Sequence, residues 1–135
     1  MSNDSILIDT SIWILYLRGE GKSQLREIVQ KALVDKKATT SQIIILEILS
    51  GAISEKEFTT LYEDFDSLLC LDITNEVWKE SYENSFLLRR RGATAPFADI
   101  LIATASIYYN CQLIHSDKHF GLIAKHIKLN EKGFY

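Results

Sequence analysis

The sequence predicts one α/β domain built on a mainly parallel central sheet. Three observations point there: short apolar runs alternate with longer amphipathic segments, the runs are apolar along their whole length, and no linker breaks the alternation. Parallel strands covered by helices on both faces read as nearly unbroken hydrophobic stretches. The 135 residues suit one domain, and 47% of them are hydrophobic, enough for a core. Charged residues make up 24%, an ordinary share for a folded chain. With no repeat, low-complexity tract or Pro/Gly/Ser-rich linker, residues 1–135 form a single domain.

The elements follow in order. Residues 5–9 (Ser-Ile-Leu-Ile-Asp) are a short apolar run ending in an acid, the pattern of a buried strand. A helical stretch over 11–18 stops at Gly19. Residues 22–35 read as a second helix with Leu25, Ile28, Val29 and Ala32 on one face, and 38–40 as a brief strand. Ser41 caps a helix running to Ser50, with Gly51 as terminator. Ser54 and Glu57 have capping-box spacing and start a helix to about Asp66; residues 68–73 read as a strand. Thr74 caps a long helix ending in Arg89-Arg90-Arg91-Gly92, basic residues in a last turn and then glycine. Pro96 opens a helix over 97–109. Residues 112–115 read as a strand, 117–125 as a short helix and 127–129 as a last strand.

Composition excludes several classes. A net charge of −3 is not a broad basic surface, so any nucleic-acid contact is local or runs through bound metal ions. The two cysteines, Cys70 and Cys111, are far apart and cannot make a disulfide framework or a structural zinc site, which points to a reducing cytoplasm. Residues 1–5 are polar and lack a basic residue, unlike a signal peptide. No apolar run approaches the roughly 18 residues of a membrane span, so the expectation is a soluble, cytoplasmic protein.

The informative residues are acids in apolar surroundings. Asp9 ends Ile6-Leu7-Ile8, and Asp117 follows Leu113-Ile114-His115. Asp99 is embedded in Phe97-Ala98-Asp99-Ile100-Leu101-Ile102-Ala103. Glu47 lies mid-helix, with Ile43, Ile44, Ser50 and Gly51 one turn away and no basic partner on its face. Burying a lone carboxylate costs several kcal/mol or raises its pKa. Singly, Asp117 reads as a helix cap, Asp99 as a first-turn dipole partner and Asp9 as a turn residue; Glu47 has the weakest such account. Together, Asp9, Asp99 and Asp117 fall where open α/β sheets bind ligands, at strand carboxyl ends beside helix N-termini. Gathered carboxylates repel unless cations neutralise them, and hard oxygen donors select Mg²⁺ or Mn²⁺. Metal ions shared by such acids support in-line displacement at phosphorus.

Other patterns are set aside. His115, His119 and His126 suggest zinc, but His115 falls in a strand, away from the helical spacing a shared site needs. Gly19-Glu20-Gly21-Lys22-Ser23 contains a Gly-Lys-Ser fragment, yet Tyr16 stands where a P-loop needs its first glycine, and a helix rather than a strand precedes it. Arg89, Arg90 and Arg91 match a helix C-terminus better than a phosphate grip. Lys118 and His119 lie beside Asp117 and read equally as substrate contacts or solvated surface. Trp13, Tyr16, Trp78, Tyr82 and Phe86 fall at helical spacings, which favours a core or a subunit interface over base stacking.

The acidic motifs resemble the PIN-domain family, especially VapC-type toxins of toxin–antitoxin pairs. Ile8-Asp9-Thr10-Ser11 is similar to the family's opening element, and Glu47-Ile48-Leu49-Ser50-Gly51 to its Glu-Leu-x-x-Gly helix. Asp99-Ile100-Leu101-Ile102-Ala103-Thr104-Ala105 resembles its Asp-x-x-Ile-Ala-x-Ala motif, and His115-Ser116-Asp117-Lys118-His119-Phe120 its terminal Asp-x-x-Phe element. His115 departs from a frequent threonine, and Phe97-Ala98 from a frequent proline. The resemblance implies a three-layer α/β/α fold and an Mg²⁺- or Mn²⁺-dependent endoribonuclease, with Asp9, Glu47, Asp99 and Asp117 as catalytic metal ligands. Ser11 would orient Asp9 or a metal-bound water. It also implies an RNA substrate, a small antitoxin protein that occludes the acidic site, and a homodimer. Two alternatives keep the fold: an inactive binding module, and a DNA nuclease or phosphatase using the same acids.

Overall fold

Short apolar runs flanked by helices have one stable arrangement, a sheet whose strands are each followed by a helical crossover. The computed structural model describes residues 4–135; residues 1–3, part of the N-terminal stretch discussed above, lie outside the described residues. The elements run β1 (Ile6–Ile8), α1 (Thr10–Leu17), α2 (Ser23–Val34), β2 (Ala38–Thr40), α3 (Gln42–Ser50) and α4 (Glu55–Asp66). They continue β3 (Leu69–Cys70), α5 (Asn75–Arg90), α6 (Phe97–Tyr108), β4 (Gln112–His115), α7 (Lys118–Ala124) and β5 (Glu131–Gly133).

The five strands form one parallel sheet in the order β3-β2-β1-β4-β5. The chain winds outward from β1 in one direction and then returns to its other side, so the order reverses at β1. Right-handed crossovers place the two groups of connections on opposite faces. Leu7, Ile8, Ile12, Ile44, Ile102, Leu113, Ile114, Phe120 and Ile123 are sealed in the core beside this centre. Each such side chain contributes about 1.5–3 kcal/mol of burial.

Helix starts and stops follow local chemistry. Asp9, Ser54, Thr74 and Asp117 accept first-turn amides at the N-termini of α1, α4, α5 and α7. Gly92, at φ +76°, takes the left-handed turn that ends α5 and lets Ala93 bond back to Leu88 O. Ser41 holds the N-cap position of α3, but its hydroxyl makes no capping bond and is buried without a partner among the described residues.

Two strands differ from expectation. The run at 68–73 pairs only at Leu69–Cys70, with Leu71 N reaching Thr40 O at 2.7 Å. Beyond it, side chains replace the ladder: Gln42 brackets Asp72 and Ile73, and the Tyr109 hydroxyl donates to Asp72 O. The last strand is Glu131–Gly133, not 127–129. His126 N and Ile127 N both bond back to Ile123 O, which uses those residues to finish the turn after α7. Ile127 and Leu129 are apolar because they pack on the core, not because they pair.

Candidate active site

The sheet register places the acids. Asp9 N donates to Ile114 O at 3.0 Å, so the ladder between β1 and β4 continues one residue past β1 and sets Asp9 beside the end of β4. Asp117 lies two residues after β4. Glu47 comes from α3, which follows the strand on the other side of β1, and Asp99 from the first turn of α6. All four stand around the point where the strand order reverses, the usual ligand crevice of such sheets.

Asp9 is 3% exposed. Its Oδ2 accepts from both Ser11 N and the Ser11 hydroxyl. Burial pushes its pKa up and Asp117 adds to the rise, against the opposing Ser11 bonds. The Ser11 hydroxyl also accepts from Ser116 N at 2.9 Å, tying the start of α1 to the residue before Asp117. Glu47 is half-buried and accepts a 2.7 Å bond from the Thr10 hydroxyl. Burial raises its pKa too, with Asp9 and Asp117 as further like charges.

Asp99 and Asp117 make the tightest part. His119 Nδ1 lies 3.1 Å from Asp99 Oδ2 and 3.0 Å from Asp117 Oδ1. One ligand atom from each of these three residues lies within 4.8 Å of the others. Asp117 Oδ1 also accepts from His119 N, so this acid both caps α7 and faces the cluster. Asp99 is pushed up to about 7, by burial first, then by Asp117 and Asp9, while His119 opposes the rise. Among the described residues, no lysine or arginine pairs with any of the four acids.

This donor set fits a hard divalent cation. Four carboxylates share a rim, each offering oxygen, and those with a resolved shift are harder to ionise without added positive charge. The three histidines do not assemble for zinc: His115 is buried against Glu131, with Nε2 2.6 Å from Oε1, while His119 faces the acids. Trp13 packs in the core against Phe65, whereas Trp78, Tyr82 and Phe86 are exposed along α5. Arg90 stacks over Phe86 and Arg91 donates to His126 O, so the basic cluster is engaged at the helix end.

Two site residues escaped the sequence reading. Thr10 has a position beside Asp9 but no pattern that reveals its reach to Glu47. His119 reads equally as solvated surface, and its spacing two residues after Asp117 is the one signal that places it beside the acids.

Known proteins share this fold. The PIN-domain family model matches residues 6–126. VapC ribonuclease Mb1587 of Mycobacterium bovis and ribonuclease VapC11 of Mycobacterium tuberculosis are each 32% identical to this chain, over 96% of it and 98% of the relative. Among solved structures, DNA-bound VapBC from Salmonella typhimurium superposes with a TM-score of 0.79 at 14% identity, over 96% of this chain and 98% of that one. VapBC2 from Rickettsia felis, bound to a promoter DNA fragment, gives 0.78 at 15% identity, with the same coverage. A parallel sheet of matching fold, an acidic rim at its reversal point and a family match over most of the length lead to one conclusion: this chain belongs to the PIN-domain family.

Proposed function

We propose that the chain is a metal-dependent endoribonuclease that hydrolyses RNA phosphodiester bonds and acts as the toxin of a toxin–antitoxin pair. The observation that carries this reading is the convergence of Asp9, Glu47, Asp99 and Asp117 on one rim with no lysine or arginine paired to them among the described residues. The relatives named as ribonucleases support the substrate, and the VapBC complexes support a small antitoxin partner. The exposed Trp78, Tyr82 and Phe86 on α5 favour a homodimer.

Asp9, Glu47, Asp99 and Asp117 are the proposed ligands of Mg²⁺ or Mn²⁺. A bound cation supplies positive charge for the phosphoryl oxygens and lowers the pKa of water at the scissile bond. The protein's own task is positioning. Ser11 fixes the Asp9 carboxylate and the Ser116 amide at once, and Thr10 fixes Glu47. His119 sets the spacing of Asp99 and Asp117. Oriented hydroxyls and amides behind ligands of this kind hold them in place before the cation arrives.

The test is cleavage of cellular RNA by protein freed of copurifying partners, with Mg²⁺, with Mn²⁺, with chelator, and with Asp99→Asn. Cleavage is expected only with metal, and Asp99→Asn is expected to lose at least about 100-fold while remaining folded. Wild-type rates from Asp99→Asn would refute the site. Metal-dependent cutting of DNA in preference to RNA would move the reading to a DNA nuclease.

A further inference from the structure

The Gly19-Glu20-Gly21-Lys22-Ser23 turn is no P-loop, but it lines a cavity of about 520 Å³ next to the acidic rim. Gly21 and Lys22 form one side, and Lys132, Phe134 and Tyr135 the other. Ser116 lies between, and it is shared with the site: its amide donates to the Ser11 hydroxyl that holds Asp9, and Asp117 follows it directly. The cavity therefore shares Ser116 with the segment that carries Asp117.

The lining suits an anion carrying a flat ring. Lys22 and Lys132 are exposed, and neither has a carboxylate partner among the described residues. Lys132 Nζ lies 5.2 Å from the centre of the Phe134 ring, which keeps its charge on the cavity wall. Lys22 fills the N-cap position of the 12-residue α2; its side chain makes no capping bond, while its carbonyl accepts from Leu25 N at 3.0 Å. Tyr135 is 64% exposed, and its ring lies directly over Gly133, where a Cβ would meet it at 2.6 Å. The ring also meets His115 edge-on, with centroids 6.1 Å apart. Partial burial, then the nearby Glu131 and Asp117 carboxylates, push its phenol pKa up, so the ring belongs to the approach to the site.

We propose that this cavity is a nucleotide subsite, taking one nucleotide of the RNA strand beside the bond being cut, with its base stacked on Tyr135 and its phosphate at Lys22. The inference rests on the ribonuclease reading for the identity of the strand. The cavity is of the size that holds small ligands, and stacking on an exposed aromatic beside a cation is how single strands are held without base pairing. In a chain of net charge −3, these lysines also offset the repulsion between an acidic rim and a polyanion.

The experiment titrates uridine and adenosine 5′-monophosphates, in Mg²⁺, into the wild type and into Lys22→Ala, Tyr135→Ala, Tyr135→Phe and Gly133→Ala, by calorimetry and amide NMR. Tyr135→Ala and Lys22→Ala should each weaken binding by about fivefold or more, the low end for a lost stacking contact, and Tyr135→Phe should retain it. Gly133→Ala, which drives the ring off its seat without touching an acid, should behave like Tyr135→Ala. With RNA, Lys22→Ala, Tyr135→Ala and Gly133→Ala should raise KM more than they lower kcat, the mark of lost binding rather than lost chemistry, and Tyr135→Phe should keep the wild-type KM. The subsite falls if the wild type binds neither nucleotide, or if binding survives both alanine variants. It also falls if those variants weaken only an antitoxin peptide. Nucleotide binding is read without cleavage, so a protein that fails to cut RNA would sink the ribonuclease reading while the titration still decides the subsite.

Discussion

Asp9 and Asp99 are both nearly sealed from water, at 3% and 8% exposure, yet the protein holds them in opposite ways. Asp9 ends a strand and caps a helix, so a backbone amide and a hydroxyl meet it. Asp99 stands in the first turn of α6, where its one hydrogen-bond partner among the described residues is His119. The rest of its surroundings are apolar walls and like charges. The difference teaches that one rim can combine two kinds of acid. Asp9 is prepared by the chain, whereas Asp99, as a proposed metal ligand, would rely on a cation to carry its charge.

The strongest way to break this contrast is to change pH with and without metal. Asp99 has a folded pKa near 7 against an ordinary 3.8, so the folded state holds its proton more tightly than the unfolded chain. Stability without metal therefore falls as pH rises between those two values, and the full cost stands above about 7. A shift of this size corresponds to at most roughly 4 kcal/mol. Urea unfolding in chelator should show this slope from about pH 4 to pH 7, and saturating Mn²⁺ should flatten it. Asp99→Asn should flatten it in chelator too, and should exceed the wild type in stability at the alkaline end. Parallel curves for wild type and Asp99→Asn would show that Asp99 is not the cation-dependent acid.

A smaller effect is expected on the prepared side. Ser11→Ala removes a donor from Asp9 and leaves Ser116 N without its acceptor. Losing such a partner inside the protein costs about 1–3 kcal/mol. Mn²⁺ affinity should drop about 10–100-fold, the usual effect of losing a group that orients a ligand. Ser11→Thr, which keeps the hydroxyl, should restore most of both. Calorimetry with Mn²⁺ decides, and an unchanged affinity in Ser11→Ala would mean that the backbone alone positions Asp9.

The sequence reveals these two acids unequally for the same physical reason. Asp9 and Asp117 stand at the ends of apolar runs, and local patterning marks both the strand and its terminus. Asp99 and Glu47 are visible as charges in apolar helices, but a helix pattern does not say which strand end the helix meets; the strand order supplies that. The Thr10–Glu47 and His119–Asp99 contacts depend on side-chain direction across elements, which no spacing encodes. The last strand is misplaced because hydrophobicity records burial, and Leu129 is buried in a turn while Glu131 and Lys132 pair at the sheet edge. Similarly, five aromatics at helical spacing give no hint that Trp13 faces the core and Tyr82 faces water.

The mildest prediction separates Glu47 from both. Its carboxylate is half-buried and keeps more contact with water than Asp9 or Asp99, so it needs less help from the protein. Among the described residues its one side-chain support is a 2.7 Å bond from the Thr10 hydroxyl, and that bond opposes the rise caused by burial. Thr10→Val keeps the shape and removes the donor, so the Glu47 pKa should move further up. Because Glu47 can turn to water, stability should change by no more than about 1 kcal/mol. Mn²⁺ affinity should fall less than in Ser11→Ala, by roughly tenfold at most. Measuring both variants in one titration series tests the order directly. If Thr10→Val costs as much metal affinity as Ser11→Ala, then Glu47 is as dependent on its hydroxyl as Asp9, and the rim has two prepared acids instead of one.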